Sequence, residues 1–167
     1  MKRTALAVST FALLAAMAAF AQTSGQKSFD AMKSLTGNWE GKDSQGGAVA
    51  VSNRLTAGGS AVVSEINTNM HGKSEDMISM INMDGDRLLL THYCSAGNQP
   101  RMQAALSPDG KSITFTFVDA TNLASPEAGH MQSVTFNLID ANHHTEEWHF
   151  TVAGKEMVQR FDLQRKS

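Results

Sequence analysis

The fold is decided by a stretch late in the chain, residues 112–119, which read SITFTFVD. Ile113, Phe115 and Phe117 alternate there with the hydroxyl side chains of Ser112, Thr114 and Thr116. Successive side chains of a β-strand point to opposite faces, so this alternation predicts a strand that is buried on one side only. The segment 133–138, SVTFNL, repeats the pattern.

Turn signals recur at short intervals on both sides of this stretch. Gly, Asn and Asp accept the backbone conformations that tight hairpins require. They occur at Gly46-Gly47, Gly58-Gly59, His71-Gly72, Asp84-Gly85, Gly97-Asn98, Asp109-Gly110, Asp140-Ala141-Asn142 and Ala153-Gly154. The runs between them predict ten strands, at about 38–43, 48–57, 60–69, 75–83, 86–94, 101–107, 112–119, 131–140, 144–153 and 155–165.

A short helix is predicted before the first strand. Phe29, Met32 and Leu35 recur every three residues, Ser28 is the N-cap candidate, and Gly37 follows as a stop signal. A helix of about two turns is not stable alone and must pack its apolar stripe on another element. The preceding residues, 22–28, are polar and predict a flexible leader.

These elements predict an all-β fold, an antiparallel up-and-down β-barrel of about ten strands preceded by one short helix. Nearly every connection has hairpin length, whereas the alternative, a Greek-key sandwich, needs long crossings. The one long connection, 120–130, is either a rim or lid of a site or an ordinary surface loop.

The N-terminus predicts export. Lys2 and Arg3 precede an apolar run that ends in Ala19-Phe20-Ala21, which matches a signal peptide cleaved after Ala21. The alternative is a membrane anchor, but the run is at the short limit for a span. We therefore predict a signal peptide at 1–21, a single domain at 22–167, and a periplasmic or secreted protein without stable membrane insertion after cleavage.

Charge and cysteine content restrict the partners. Without Lys2 and Arg3, 12 of the 14 basic side chains remain against 16 acidic ones, so the net charge falls from −2 to −4. Nucleic-acid binding needs clustered Lys and Arg, and no cluster is present, so nucleic acid is not an expected partner. Cys94 is the only cysteine, so stability must come from packing and hydrogen bonds rather than an internal disulfide.

The motifs resemble those of a known class. Leu35, Gly37, Trp39 and Gly41, together with 59–65 and 91–101, resemble a family of secreted bacterial proteins of unknown function with a lipocalin/calycin-like β-barrel. The resemblance implies that Trp39 closes the barrel floor, and it implies no settled activity. A second resemblance, to the ten-stranded haem-binding nitrobindins, makes His149 the candidate haem ligand by position.

The densest chemistry lies on the predicted strand 86–94. Leu88, Leu90, His92 and Cys94 share one face, and the opposite face also carries apolar residues, so either face can be the inner one. If the first face is inward, His92 and Cys94 point into the barrel. Cys94 is then either a nucleophile activated by His92 or a packed thiol beside a hydrogen-bonded histidine.

A polar turn follows this strand and contributes Asn98 and Arg101. Glu65 lies among apolar neighbours and needs a partner if buried, so we predict a Glu65–Arg101 ion pair, either structural or ligand-orienting. The residues 143–149, HHTEEWH, alternate in direction and show no recognised zinc spacing. We predict an exposed polar strand there beside a buried Trp148, with no metal and no cofactor.

These observations lead to a functional expectation. We predict an exported barrel that binds a small apolar or amphipathic molecule, with His92, Cys94, Asn98, Arg101, Glu65 and Trp148 as ligand-binding residues. The alternatives are a hydrolase- or isomerase-type enzyme that uses Cys94 and His92, and a structural or envelope protein whose polar core only specifies the fold.

Overall fold

The computed structural model describes residues 22–70 and 73–166. Its elements are helix α1 (Ser24–Ser34) and strands β1 (Gly37–Asp43), β2 (Ala48–Thr56), β3 (Ala61–Met70), β4 (Lys73–Asp84), β5 (Arg87–Tyr93), β6 (Gln99–Leu106), β7 (Ser112–Thr121), β8 (His130–Asp140), β9 (His143–Val152) and β10 (Lys155–Arg165). Among these residues no helix is both long and apolar enough to cross a membrane. The predicted signal peptide, 1–21, lies outside the described residues.

The ten strands form one closed antiparallel barrel, which confirms the predicted fold class and excludes the sandwich. Each strand pairs with its neighbours in sequence, and β10 returns to pair with β1. Every predicted strand lies within two residues of the observed bounds. The predicted turns have the positive φ of tight turns at Gly46, Gly58, Gly59, Gly85, Gly97, Gly110 and Gly154.

The seam between β1 and β10 depends on Gly41. A Cβ atom at this position would lie 1.8 Å from the carbonyl oxygen of Asp162, so no other residue allows the two strands to approach so closely. Trp39, opposite Arg165 in the same pairing, carries the Arg165 guanidinium over its ring at 4.1 Å. This contact adds a cation–π attraction at the place where the barrel closes.

The helix is longer than the sequence indicated. It begins at Ser24 with Thr23 as N-cap, whose Oγ1 accepts a hydrogen bond from the backbone N–H of Gln26. Both the prediction of Ser28 as N-cap and that of a flexible leader at 22–28 are therefore wrong. Ser28 instead lies inside the helix and donates its hydroxyl hydrogen bond to the carbonyl of Ser24.

The helix covers one end of the barrel, which we call the helix end. Phe29, Met32 and Leu35 belong to the core cluster, and each buried apolar side chain contributes about 1.5–3 kcal/mol. Gly25 packs so closely on the β4–β5 turn that a Cβ would lie 2.1 Å from the carbonyl oxygen of Asp86. Trp39 lies at this end, as the resemblance implies, and donates its Nε1–H to Leu35 O at 2.8 Å.

The opposite end, which we call the loop end, carries the connections at 44–47, 94–98, 122–129 and 153–154. The interior between the two ends is filled with side chains. Its largest fully buried members come from the helix and from all the strands except β2 and β9: Met32, Trp39, Ile66, Ile81, Leu88, Leu90, Met102, Ile113, Phe115, Phe136, Phe161 and Leu163. The polar groups described next are embedded in this apolar packing.

Candidate functional site

The inner face of β5 carries the first polar group. Leu88, Leu90 and His92 are all 0% exposed, whereas Tyr93 is 45% exposed on the outer wall. The sequence did not decide which face of β5 points into the barrel, and the structure shows that it is the face with His92. Cys94 follows on the same side and packs against the core cluster near the loop end.

His92 is held between two neighbours. Its Nδ1 lies 2.9 Å from the hydroxyl of Ser79 on β4, and its ring centroid lies 4.8 Å from that of Trp148. Its Nε2 is buried and has no hydrogen-bond partner among the described residues. Burial lowers the pKa of His92 to about 4, against an opposing effect of the negative charge of Glu75, so the ring is neutral at physiological pH.

A second buried polar group lies on β9. Glu146 accepts a hydrogen bond from Trp148 Nε1 at 2.8 Å through Oε2, and its Oε1 lies 3.2 Å from His144 Nε2. The His144 ring meets Trp39 edge-on, with centroids 4.2 Å apart. A carboxylate removed from water is costly unless its oxygens are bonded, and here both oxygens are.

These contacts connect the two polar groups across the barrel. Trp148 touches both His92 and Glu146, and His144 continues the contacts to Trp39. We call this set, Ser79, His92, Trp148, Glu146, His144 and Trp39, the interior polar network. Four of its six members, Ser79, His92, His144 and Glu146, are polar residues buried within the apolar core.

The sequence interpretation of 143–149 was wrong in part. Trp148 is buried as predicted, but His144 and Glu146 are 0% exposed rather than part of an exposed polar strand. A signal was present: positions 144, 146 and 148 alternate in step, so a buried Trp148 implies that the other two also point inward. The polar character of His144 and Glu146 concealed it, because polar residues are usually outside.

The predicted Glu65–Arg101 pair is also wrong. Arg101 donates from Nε to Asp119 Oδ1 at 2.6 Å, and Arg54 Nη2 lies 3.5 Å from Glu65 Oε1. The strands that carry Glu65 and Arg101, β3 and β6, are not adjacent in the barrel. Both side chains lie on the exposed outer wall, so the structure does not bring them together with His92.

Cys94 is not activated. Burial raises the pKa of its thiol, the negative charge of Glu75 acts in the same direction, and only a backbone hydrogen bond from Ala96 opposes them. The thiolate is the nucleophilic form, so a raised pKa disfavours nucleophilic catalysis. His92 Nδ1 forms its hydrogen bond with Ser79 and not with the thiol of Cys94.

Asn98 holds the long connection at 122–129 in place across the loop end through a hydrogen bond. It is 4% exposed and donates from Nδ2 to the carbonyl of Gly129 at 2.7 Å, while its Oδ1 has no partner among the described residues. Asn122 donates to Gly97 O at 2.7 Å in the reverse direction. The side chain of Phe150 fills the place where Gly129 would carry a Cβ, at 2.7 Å from that position.

His149 lies on the outer wall. Its Nδ1 is 2.7 Å from Glu156 and its Nε2 is 2.8 Å from Glu147, and these contacts raise its pKa. With both ring nitrogens engaged by carboxylates outside the barrel, His149 does not fit the haem-ligand role that the nitrobindin resemblance implied. Within the part of the chain that the structure describes, no group of three or more His, Cys, Asp or Glu could hold a metal ion.

Two depressions lie on the outer wall rather than in the barrel. One, of about 290 Å³, involves Lys42, Glu147 and Arg160. The other, of about 280 Å³, involves Glu40, Asn67 and Lys166. Neither contains a residue that the sequence singled out as ligand-binding.

The fold and the interior polar network define this protein as a closed ten-stranded antiparallel barrel with a helix over one end. A scan against models of known protein families finds no match, and a search of curated protein sequences finds none either. Among solved structures, the crystal structure of Rv2717c from M. tuberculosis is similar, with a TM-score of 0.63 and 14% sequence identity. The similarity covers 84% of this chain and 98% of that chain, and at this identity it concerns the fold alone.

Proposed function

We propose that this protein is an exported barrel that binds a small, mostly apolar molecule through the loop end. The observation that carries the proposal is His92, which is fully buried yet leaves Nε2 without a partner among the described residues. An unpaired buried polar group costs about 1–3 kcal/mol. A ligand that bonds to Nε2 would remove this cost, and Trp148 beside it would supply an aromatic surface.

The loop end is the natural entrance. The helix end is closed by three buried apolar side chains. The loop end is crossed by residues 122–129, and the side-chain hydrogen bonds of Asn98 and Asn122 help to hold this loop in place. The inner wall on this side includes Met77 and Met131, and methionine side chains repack readily around a bound molecule. Asn98 Oδ1 would become a second polar contact, and Cys94 would line the path.

One observation favours the second candidate, a non-enzymatic structural or envelope protein. His92 and Glu146 are 0% exposed, so no water-sized space reaches either side chain in the structure. A network that serves only the fold would keep this packing under all conditions. Binding instead requires the loop end to open.

Native mass spectrometry of the mature protein, purified from the cells that make it, tests the proposal. We expect a retained molecule of a few hundred daltons that is lost on denaturation. If no molecule is retained, and the neutral fluorescent probe N-phenyl-1-naphthylamine does not bind, the structural candidate is correct. Peptide sequencing of the mature N-terminus tests export, and we expect it to begin at Gln22 in the periplasmic or secreted fraction.

A further inference from the structure

Among the residues whose burial the structure describes, the buried acids are Asp43 and Glu146, and the strongest buried base is histidine. The buried polar and charged residues among those described are Ser28, Asp43, Asn53, Ser64, Thr68, Ser79, His92, Asn98, His130, His144 and Glu146. No lysine or arginine is among them. An anionic head group, such as a carboxylate, would therefore lose its water without gaining a cation.

The two buried carboxylates are already engaged. Glu146 uses one oxygen for Trp148 and the other for His144. Asp43 accepts the backbone N–H groups of Gln45 and Gly47 through Oδ1, each at 2.8 Å, at the end of β1. Glu75, whose negative charge acts on His92, is bonded to Ser95 at the loop end. Beside His92 itself, neither sign of charge therefore meets an unpaired counter-charge.

The hydrogen-bond pattern around His92 determines what a ligand must present. The hydrogen bond between Ser79 and His92 Nδ1 fits either neutral tautomer of the ring. If Nδ1–H donated, the Ser79 proton and Nε2 would both lack a partner among the described residues, whereas if Ser79 donates only Nε2 lacks one, so the second arrangement leaves fewer unpaired groups. In the neutral ring the proton then sits on Nε2, which becomes an unpaired donor. The missing partner is therefore an acceptor.

We propose that the ligand is electrically neutral and presents a hydrogen-bond acceptor, a hydroxyl, carbonyl or ether oxygen, to His92 Nε2. This inference rests on the proposed ligand-binding function. The apolar part of the ligand then lies against Trp148 and the methionine wall, and its oxygen replaces the partner that Nε2 lacks. Long-chain carboxylates and quaternary ammonium amphiphiles would enter this site without a paired counter-charge, so we expect them to bind more weakly than a neutral ligand.

Four probes with the same ten-carbon chain test the inference on the full mature protein: 1-decanol, decyl methyl ether, decanoate and decyltrimethylammonium. Affinity is measured by displacement of N-phenyl-1-naphthylamine. We expect decanol and the ether to bind within about threefold of each other, because both accept a hydrogen bond. Both should bind at least about tenfold more tightly than either charged probe.

Three variants assign the effect to His92. His92→Phe should weaken decanol about five- to tenfold, the loss of one hydrogen bond. Ser79→Ala, which leaves Nδ1 free to carry the proton, should also weaken it. The control Tyr93→Phe lies on the outer wall and should change nothing.

The outcomes separate the inference from the proposed function. Equal or tighter binding of a charged probe overturns the neutral-ligand inference while leaving the barrel a binding protein. Binding of decanol but not of the ether overturns the assignment of Nε2 as donor. If no probe binds and no molecule is retained in native mass spectrometry, the proposed function itself fails and the inference fails with it.

Discussion

Replacing Glu146 by leucine tests the interior polar network, and Glu147 supplies a matched control. The two glutamates are neighbours on β9 and point to opposite sides of the barrel wall. Glu146 is 0% exposed, whereas Glu147 lies on the outer wall with Arg160 and His149 as partners. The same substitution at each position therefore differs mainly in burial.

The expected magnitude comes from the bonds that are lost. Glu146→Leu leaves Trp148 Nε1 and His144 Nε2 without their acceptor, and leucine fills a similar volume, so the cavity term is small. Two unpaired buried groups at about 1–3 kcal/mol each predict a loss of about 2–6 kcal/mol in the free energy of unfolding. Glu147→Leu breaks exposed ion pairs and should cost about 0–1 kcal/mol.

Urea unfolding, followed by tryptophan fluorescence and far-UV circular dichroism, measures both variants. A loss of this size is a large part of the about 5–15 kcal/mol that stabilises a typical domain. Glu146→Leu should also change the near-UV dichroism, because Trp148 loses its partner, and Glu147→Leu should not. If the two variants unfold within about 1 kcal/mol of each other, the reasoning about the buried carboxylate is wrong.

Three further predictions concern other parts of the barrel. Arg165 donates to the backbone carbonyls of Thr36 and Ser34 and stacks on Trp39. Arg165→Lys should therefore lower the free energy of unfolding, measured in urea, by about 2 kcal/mol. The control Arg101→Lys, on the outer wall, should lower it by less than about 1 kcal/mol. The pKa of His92 is 6.5 in the unfolded chain and about 4 in the folded one, so the unfolded state binds more protons between these values. The free energy of unfolding should therefore fall by at most about 3 kcal/mol as the pH drops from 6.5 to 4. His92→Phe should remove this pH dependence. Cys94 should react with iodoacetamide at pH 8 at least about tenfold more slowly in the folded than in the unfolded protein, and an inflection of the rate below pH 7 would contradict its raised pKa.

Local patterns in the sequence carried most of the fold. The alternation of Ile113, Phe115 and Phe117 follows from the geometry of a single strand, and the glycine turns follow from the backbone freedom of single residues. The helix bounds were less predictable, since an N-cap is recognised only by which side chain reaches a free backbone N–H. Thr23 and Ser28 are equally suitable by type, and the structure uses Thr23.

The candidate site was predictable only where a residue's own strand decides the outcome. His92 follows Leu88 and Leu90 on one face of β5, so its direction is fixed once the leucines are buried. The burial of His144 and Glu146 was missed, because polar side chains enter a core only when other strands supply their partners. Nothing within β9 alone indicates that Trp39 of β1 lies against His144.

The sequence by itself determined the ten strands, their turns and the burial of Trp148, because each depends on residues close together in the chain. Only the tertiary structure decided which side chains meet. Glu65 could not reach Arg101, because barrel closure puts their strands apart, while the neighbouring β7 brings Asp119 beside Arg101. Register and closure are properties of all ten strands together, and the interior polar network exists only once the barrel has closed.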